Sequence, residues 1–242
     1  MSTRNIKSEI RQRIWKLLVK SGVSTFPPPY GRIPNFLGAE VTARKIREME
    51  IYKKSKIIKV SPDSPQREIR KLILKDGKML IMPTPRLRGG FLLLNGKKIS
   101  TDYDFASTIK GAFNYGEELY PDELPNIDLI ITGSVAVSIN GRRLGKGGGY
   151  SELEYAILRE YDKIDEDITI ISNVHDLQVL KHLPKDPYDI TLDYIITPTR
   201  VIFVENREDR PKGILWNFLT EEKVKEIPIL LKLKREKLFK KN

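Results

Sequence analysis

Cysteine is absent from the 242-residue sequence, and histidine occurs only twice. A chain without thiols forms no disulfide, uses no thiolate nucleophile and binds no zinc through cysteine. His175 and His182 alone do not make a multi-histidine metal site. No apolar run approaches the ~20 residues that span a bilayer, and the N-terminus has no apolar signal-peptide segment. The sequence therefore predicts a cytoplasmic protein that makes no membrane contact.

Glutamine is also scarce, whereas charged residues form 31% and hydrophobic residues 40% of the chain. This composition predicts a globular protein, and its abundance of lysine, glutamate, arginine and isoleucine is typical of thermophilic proteins. The length suits one domain over residues 1–242. The formal net charge of +11 indicates a polyanionic partner, which is either nucleic acid or a polyanionic small molecule.

Part of this positive charge is concentrated near the C-terminus, in a predicted terminal helix at about residues 220–242. Between residues 232 and 241, six lysines and arginines stand against the single Glu236. Such a tail usually forms the solvated end of a helix. Contact with RNA is the alternative.

Short apolar runs alternate with helical patterns along the chain. The runs lie at 57–60, 78–82, 128–137, 168–171, 193–196 and 200–204. Helical spacing is expected at 6–20 and 39–54, with Ser64 capping another helix that has Pro65 at its first position. This alternation predicts a three-layer α/β/α domain with a mostly parallel, Rossmann-like central sheet. Residues 95–126 are polar and weakly periodic and give no assignment.

The glycine loop, residues 141–150, carries five of the sixteen glycines together with three cations. It follows the apolar run at 128–137 and precedes a helical pattern. Glycine lets backbone N–H groups crowd around an anion, and the start of the next helix adds its positive dipole end. Arginine and lysine supply countercharge for a polyphosphate. The alternative is a flexible hairpin loop with solvated charges.

The glycine loop fits neither of the two commonest nucleotide-binding motifs. A Walker A loop needs one more residue between Gly141 and Gly145, and Gly147 stands where that motif has a hydroxyl residue. A Rossmann fingerprint opens the first βα unit, whereas this loop lies past the middle of the chain.

Four further cations are candidate anion contacts. Lys7 and Arg11 are four residues apart and lie one above the other on the first predicted helix. Arg86 and Arg88 follow a predicted strand at its carboxyl end, where ligands bind in open α/β sheets. Solvent-facing side chains are the alternative for all four.

A third loop pattern does fit. Residues 143–150 read Arg-Leu-Gly-Lys-Gly-Gly-Gly-Tyr, which resembles the Arg-Leu-Gly-x-Gly-x-Gly-Tyr signature of the 5-formyltetrahydrofolate cyclo-ligases, also called methenyltetrahydrofolate synthetases. Lys7 and Arg11 resemble the Lys-x-x-x-Arg pair of that family's first helix. Segments 33–36, 83–88, 133–138 and 197–202 look like the methenyltetrahydrofolate-synthetase-domain-containing subgroup. In animals this subgroup carries an added RNA-recognition domain, and the present chain resembles its stand-alone synthetase-like portion.

The resemblance implies an enzyme that uses ATP and Mg²⁺ to convert 5-formyltetrahydrofolate, or a related pterin, to the 5,10-methenyl compound through phosphorylation of the formyl oxygen. The implied ATP-binding residues are Lys7, Arg11, Arg143, Leu144, Gly145, Lys146, Gly147, Gly148, Gly149 and Tyr150. Arg143 and Lys146 are the implied catalytic residues. The implied substrate contacts are Lys146, Gly147, Gly148, Gly149, Tyr150 and Arg86. Glu152 occupies the position of the family's magnesium-binding aspartate.

Two positions depart from the family pattern. Ser138 replaces an aspartate before the loop, and residues 61–65 replace an acidic folate-binding stretch with no matching glutamate. The ATP half of the site is thus better preserved than the folate half. A non-catalytic synthetase-like protein that binds nucleotide or RNA is therefore the alternative function. Glu154, like Glu152, is interpreted as a favourable charge at a helix start.

Overall fold

A computed structural model describes residues 2–239 of the chain. The α-helices in this range are α1 (Thr3–Lys20), α2 (Ala39–Glu48), α3 (Glu50–Lys54), α4 (Arg67–Lys75), α5 (Tyr103–Ala106), α6 (Ile109–Tyr115), α7 (Tyr150–Glu160), α8 (Glu221–Glu226) and α9 (Pro228–Phe239). The strands are β1 (Ile57–Val60), β2 (Met79–Pro83), β3 (Phe91–Asn95), β4 (Glu117–Leu119), β5 (Leu129–Thr132), β6 (Ala136–Ser138), β7 (Arg143–Leu144), β8 (Ile170–Asn173), β9 (Val179–Leu180), β10 (Tyr194–Ile196) and β11 (Val201–Phe203).

The central sheet of the described residues has eight strands in the order β11-β10-β8-β5-β1-β2-β3-β4. Its five inner strands, from β10 to β2, run parallel to their neighbours. Antiparallel strands complete both edges. A buried parallel sheet needs helices on both faces because its crossovers place them there. The predicted α/β fold with a mostly parallel sheet is confirmed.

Both faces of the central sheet are buried. On one face, Ile58 and Leu129 pack with α2 and α4. On the other, Ile130 and Ile170 pack with α7 and α9. This alternation along each strand produces the three layers, because successive side chains of a strand point to opposite faces.

A smaller sheet, with the order β7-β6-β9, lies beside the central one. The predicted strand at 128–137 is therefore two strands, β5 in the central sheet and β6 in the small sheet. Helix α1 covers the small sheet, where Ile14 and Leu18 meet Ala136 and Leu144. This packing places the N-terminal helix against the strand that leads into the glycine loop.

Three predicted helix boundaries were wrong. Ser64 is not the N-cap: Asp63 takes that position, and residues 64–66 form a 3₁₀ turn before α4. Helix 39–54 is interrupted at the extended residue Met49. The terminal helix breaks at Ile227, because Pro228 disfavours a helical conformation in the residue before it.

The unassigned stretch 95–126 contains α5, α6 and the edge strand β4. Among the described residues, no helix is both long and apolar enough to cross a membrane.

Candidate functional site

The glycine loop contains β7 and ends at Tyr150, the first residue of α7. Gly149 is the N-cap of α7 and is left-handed, with φ 69° and ψ 11°, and Gly147 has φ 108°. Residues with a Cβ rarely adopt these angles. Among the residues that the structure describes, no acceptor pairs with the amide N–H of Gly147, Gly148 or Gly149. The loop therefore presents free donors at a helix N-terminus, which is a favourable place for an anion.

Two cavities border this loop, and different loop residues line each of them. The first cavity, of about 540 Å³, is lined by Gly145, residues 147–149 and the cations Arg143 and Arg11. The second cavity, of about 310 Å³, is lined by Lys146, Tyr150, Arg86, Asp63 and Glu154. The loop thus separates the predicted site residues into two groups.

Arg143 is the buried cation of the first cavity. It is 2% exposed, and its Nη1 donates to Glu152 Oε1 at 2.5 Å. Its Nε is buried and has no acceptor among the described residues. A Cβ at Gly145 would lie 2.5 Å from Arg143 Nη2, so the absence of a side chain at Gly145 makes room for the guanidinium. A buried guanidinium with a free donor beside a cavity is suited to a phosphate.

Helix α1 contributes three cations, Arg4, Lys7 and Arg11, to the lining of the first cavity. Arg11 Nε donates to the Gly145 carbonyl at 2.7 Å, which braces the loop. Burial lowers the pKa of Arg11, although an arginine stays charged at neutral pH. Lys7 donates to Asp186 at 2.7 Å and to Asp189 at 2.5 Å. Its charge is therefore already neutralised by the protein.

Glu152 lies in the first turn of α7 and lines the first cavity. Within residues 2–239 there is no group of three or more histidine, aspartate or glutamate side chains placed to hold a metal. Magnesium commonly uses only one or two carboxylates, with water and phosphate oxygens completing its octahedron. A single carboxylate beside the glycine loop fits that pattern.

An apolar wall lines part of the first cavity. It consists of Ile214, Leu215, Phe218 and Leu219 and is continued by Leu153 of α7. The lining of the first cavity therefore combines cations with a group of apolar side chains. The sequence did not predict this wall, because residues 205–219 have no regular periodicity. The one available signal is the cluster of apolar residues at 214–219.

The second cavity contains the remaining predicted substrate contacts. Lys146 Nζ donates to Asp63 Oδ1 at 3.0 Å, and the Tyr150 hydroxyl donates to Glu226 at 3.0 Å. Arg86 has φ 57°, a left-handed conformation that costs free energy in a residue with a side chain. Its guanidinium lies 3.6 Å from Glu226. Glu226 of α8 therefore contacts two residues that line the second cavity, Tyr150 and Arg86.

A buried ion pair, Lys59–Glu154, lies beside the second cavity. Glu154 was interpreted from the sequence as a favourable charge at a helix start, and the structure adds that it is buried and paired with Lys59. The signal for the pair was a lysine inside the apolar run 57–60, because lysine is almost never fully buried without a partner.

The basic C-terminal helix packs on the protein body. Ile229, Leu230 and Leu233 are buried, Lys232 pairs with Asp122 at 3.0 Å and Lys237 with Glu160 at 2.9 Å. Much of its charge is therefore balanced by acidic neighbours. Lys240 and Lys241 lie outside the described residues.

The chain was compared with known proteins. Residues 3–198 match the family model described as the 5-formyltetrahydrofolate cyclo-ligase family. Methenyltetrahydrofolate synthase domain-containing proteins of Danio rerio and Mus musculus are each 38% identical, over 235 and 239 residues, which cover 94% and 96% of this chain. The chain spans 61% and 64% of the length of these two relatives. The 5-formyltetrahydrofolate cyclo-ligase of Escherichia coli (strain K12) is 32% identical over 78 residues, 32% of this chain and 40% of that protein.

A solved structure supports the fold. The NMR structure of Aquifex aeolicus 5,10-methenyltetrahydrofolate synthetase matches with a TM-score of 0.53 at 18% identity, covering 85% of this chain and 96% of that one. The family resemblance inferred from the sequence motifs is thus confirmed. The apolar wall, from residue 214 onward, lies beyond the segment matched by the family model.

Proposed function

Because the chain belongs to the 5-formyltetrahydrofolate cyclo-ligase family, we propose that it is an ATP-dependent ligase that cyclises 5-formyltetrahydrofolate, or a related formyl-pterin, to the 5,10-methenyl compound. The observation that carries this proposal is the glycine loop between two cavities. One cavity suits a nucleotide and the other suits the formyl-pterin. The loop and its two basic side chains would then contact both reactants.

ATP would occupy the first cavity. Its triphosphate would lie against Arg143, Arg11 and the free amides of the glycine loop, all of which supply positive potential. Its adenine would lie against the apolar wall at residues 214–219. A cavity lined by both cations and apolar side chains matches a ligand that has both a triphosphate and a base.

The formyl-pterin would occupy the second cavity, where Lys146 and Tyr150 lie. In the proposed reaction, the γ-phosphoryl group of ATP is transferred to the formyl oxygen, and ADP leaves. N10 of the substrate then adds to the formyl carbon and loses its proton, and inorganic phosphate leaves with that oxygen as the ring closes. Phosphoryl transfer depends mainly on positioning and on neutralising charge. Lys146 can neutralise that negative charge when its ammonium leaves Asp63 and pairs with a phosphoryl oxygen.

Magnesium would be held by Glu152, and when bound it neutralises phosphate charge. Glu152 also orients Arg143 through their 2.5 Å hydrogen bond. The positions of these two side chains are therefore coupled whether or not the ion is present.

The test is formation of the methenyl chromophore from purified protein, ATP, Mg²⁺ and 5-formyltetrahydrofolate. Phosphate release is expected only when both ATP and the formyl-pterin are present. ATP binding without methenyl product at any temperature at which the protein stays folded would contradict the proposal. RNA binding that weakens steeply with salt, again without product, would favour the alternative of a non-catalytic nucleotide- or RNA-binding protein.

A further inference from the structure

Lys59 lies in a setting that is unusual for a lysine. It is the third residue of the central strand β1, and its partners in register on the two neighbouring strands are Ile81 and Ile130. Both isoleucines are buried. The Lys59 side chain is 3% exposed, and its ammonium pairs with the Glu154 carboxylate of α7, whose side chain is 6% exposed.

Folding alone does not account for this ion pair. Two charges lose their hydration when they are buried, and their mutual attraction often only repays that cost. Apolar side chains of similar volume frequently give an equally stable or more stable protein. The surrounding residues of this layer are already apolar, so an apolar pair would suit the core. Binding of a ligand explains the presence of the pair better than folding does.

The Glu154 carboxylate has binding capacity left. Its Oε2 accepts from Lys59, whereas its Oε1 accepts from no donor within residues 2–239, and Glu154 lines the second cavity. The flanks of this cavity are largely apolar, formed by Pro62, Pro83, Pro85, Leu87 and Ile109. Apolar flanks with a carboxylate at one end suit a flat heterocycle that carries N–H donors on one edge.

We propose that Glu154, held in place by Lys59, recognises the 2-amino-4-oxopyrimidine edge of the ligand in the second cavity. An ionised carboxylate only accepts hydrogen bonds, and this edge offers two adjacent donors, the ring N3–H and the 2-amino group. The edge is shared by reduced pterins and by guanine. If the ligand is a pterin, the inference rests on the function proposed above and assigns Glu154 as the residue that gives the second cavity its specificity.

Lys59 is the positioning residue in this arrangement. Its ammonium donates to Glu154 Oε2 and so fixes one oxygen of the carboxylate, so that the other is directed to the ligand.

The central experiment compares wild type with Glu154→Gln by calorimetry, with 5-formyltetrahydrofolate and ATP as separate probes. Glutamine keeps the shape of the side chain, but it places an NH₂ donor where Glu154 has an acceptor oxygen, opposite the N–H donors of the ligand. The dissociation constant for 5-formyltetrahydrofolate should rise about 10- to 100-fold, as expected for loss of a hydrogen bond to a charged group. The constant for ATP should stay within about twofold, since the first cavity is intact. Equal affinity of both proteins for 5-formyltetrahydrofolate would overturn the inference.

A second variant separates recognition from folding. The double substitution Lys59→Met with Glu154→Leu removes both charges together, so that neither is left buried alone. It should unfold at a temperature close to that of wild type and bind ATP normally, yet lose affinity for 5-formyltetrahydrofolate. If this folded double variant binds 5-formyltetrahydrofolate as tightly as wild type does, the pair is structural only.

Two further probes distinguish the ligand sources. An analogue of 5-formyltetrahydrofolate without the 2-amino group should bind wild type weakly and be insensitive to Glu154→Gln. GMP, whose guanine carries the same edge, tests whether the ligand is a guanine nucleotide. Binding of GMP that depends on Glu154, with no binding of 5-formyltetrahydrofolate, would sustain the recognition and refute the cyclo-ligase function. Binding of neither ligand would refute both.

Discussion

The Arg143 guanidinium donates a 2.5 Å hydrogen bond to the Glu152 carboxylate, nine residues later, across the glycine loop. Arg143 is the first residue of β7, and Glu152 lies in the first turn of α7. This contact holds together the two flanks of residues 145–149, a segment that has glycine at four of its five positions. The loop is therefore shaped before any ligand arrives.

The first prediction concerns Arg143 and uses its neighbour as a control. Arg143→Lys should weaken ATP binding about 10- to 100-fold, because lysine lacks the planar fork that reaches Glu152 and a phosphate at once. Arg142→Lys should leave ATP affinity nearly unchanged, since Arg142 contacts Glu208 and the Leu183 carbonyl and does not line the first cavity. Titration calorimetry measures both variants. A similar loss in both variants would show that general basicity, and not the site at Arg143, determines ATP affinity.

The second prediction separates Lys146 from ATP binding. Lys146 lines the second cavity and pairs with Asp63. Lys146→Met should therefore reduce kcat by about 100-fold or more, a loss in the range found when a group that stabilises transition-state charge is removed. It should change the dissociation constant for ATP only slightly. Turnover and ATP affinity are measured on the same preparation. A loss of ATP affinity as large as that of Arg143→Lys would place Lys146 on the triphosphate instead.

The third prediction tests the apolar wall. Phe218→Ala should weaken ATP binding about tenfold, which is within the range for loss of a base–aromatic contact. It should leave competition by inorganic tripolyphosphate unchanged, because that probe has no base. Phe203→Ala is the matched control, since Phe203 is an exposed phenylalanine on the edge strand β11 and lies outside both cavities. If Phe218→Ala weakens ATP and tripolyphosphate equally, the wall does not contact the base.

The fourth prediction concerns acid stability. Burial tends to raise the pKa of Asp76, but hydrogen bonds from Arg47 and Tyr52 outweigh it and lower that pKa. A lowered carboxyl pKa contributes stability above the unfolded value of about 3.9, and this contribution is lost as the pH falls through the folded value. Asp76→Asn should therefore lower Tm at pH 7, and the difference from wild type should shrink below about pH 4.

Asp209→Asn is the control for this series, because Asp209 is exposed and forms no ion pair in the described part of the chain. Its melting curve should follow that of wild type at every pH. A Tm difference between Asp76→Asn and wild type that persists unchanged at low pH would mean that the carboxylate charge is not the cause.

Local sequence signals predicted much of the fold. The alternation of apolar runs and helical patterns led to the parallel sheet and its covering helices, and the order of residues in the glycine loop led to the family. These features depend on neighbours a few residues apart. The errors arose where a neighbouring residue or a distant contact determined the conformation. Pro228 interrupts the terminal helix, and the run at 128–137 divides because its second half pairs with β7 and β9 in the small sheet.

The candidate site was predicted in part. The sequence identified Arg143, the glycines and Glu152, because they are close together along the chain and belong to a recognisable motif. It did not identify Glu154 as the partner of Lys59, which is 95 residues away. Nor did it assign the wall at 214–219 to the same cavity as α1.

The sequence by itself determined the kind of chemistry available: free amides, arginine, lysine and carboxylate, with no thiol and almost no imidazole. Only the tertiary structure decided which of these groups face each other. It places Arg143 and Lys146, three residues apart, in the linings of two different cavities. It also brings an isolated strand lysine to a helix glutamate. The physical reason is that a sequence motif alone does not show which residues are buried, and burial determines which charged groups need a partner.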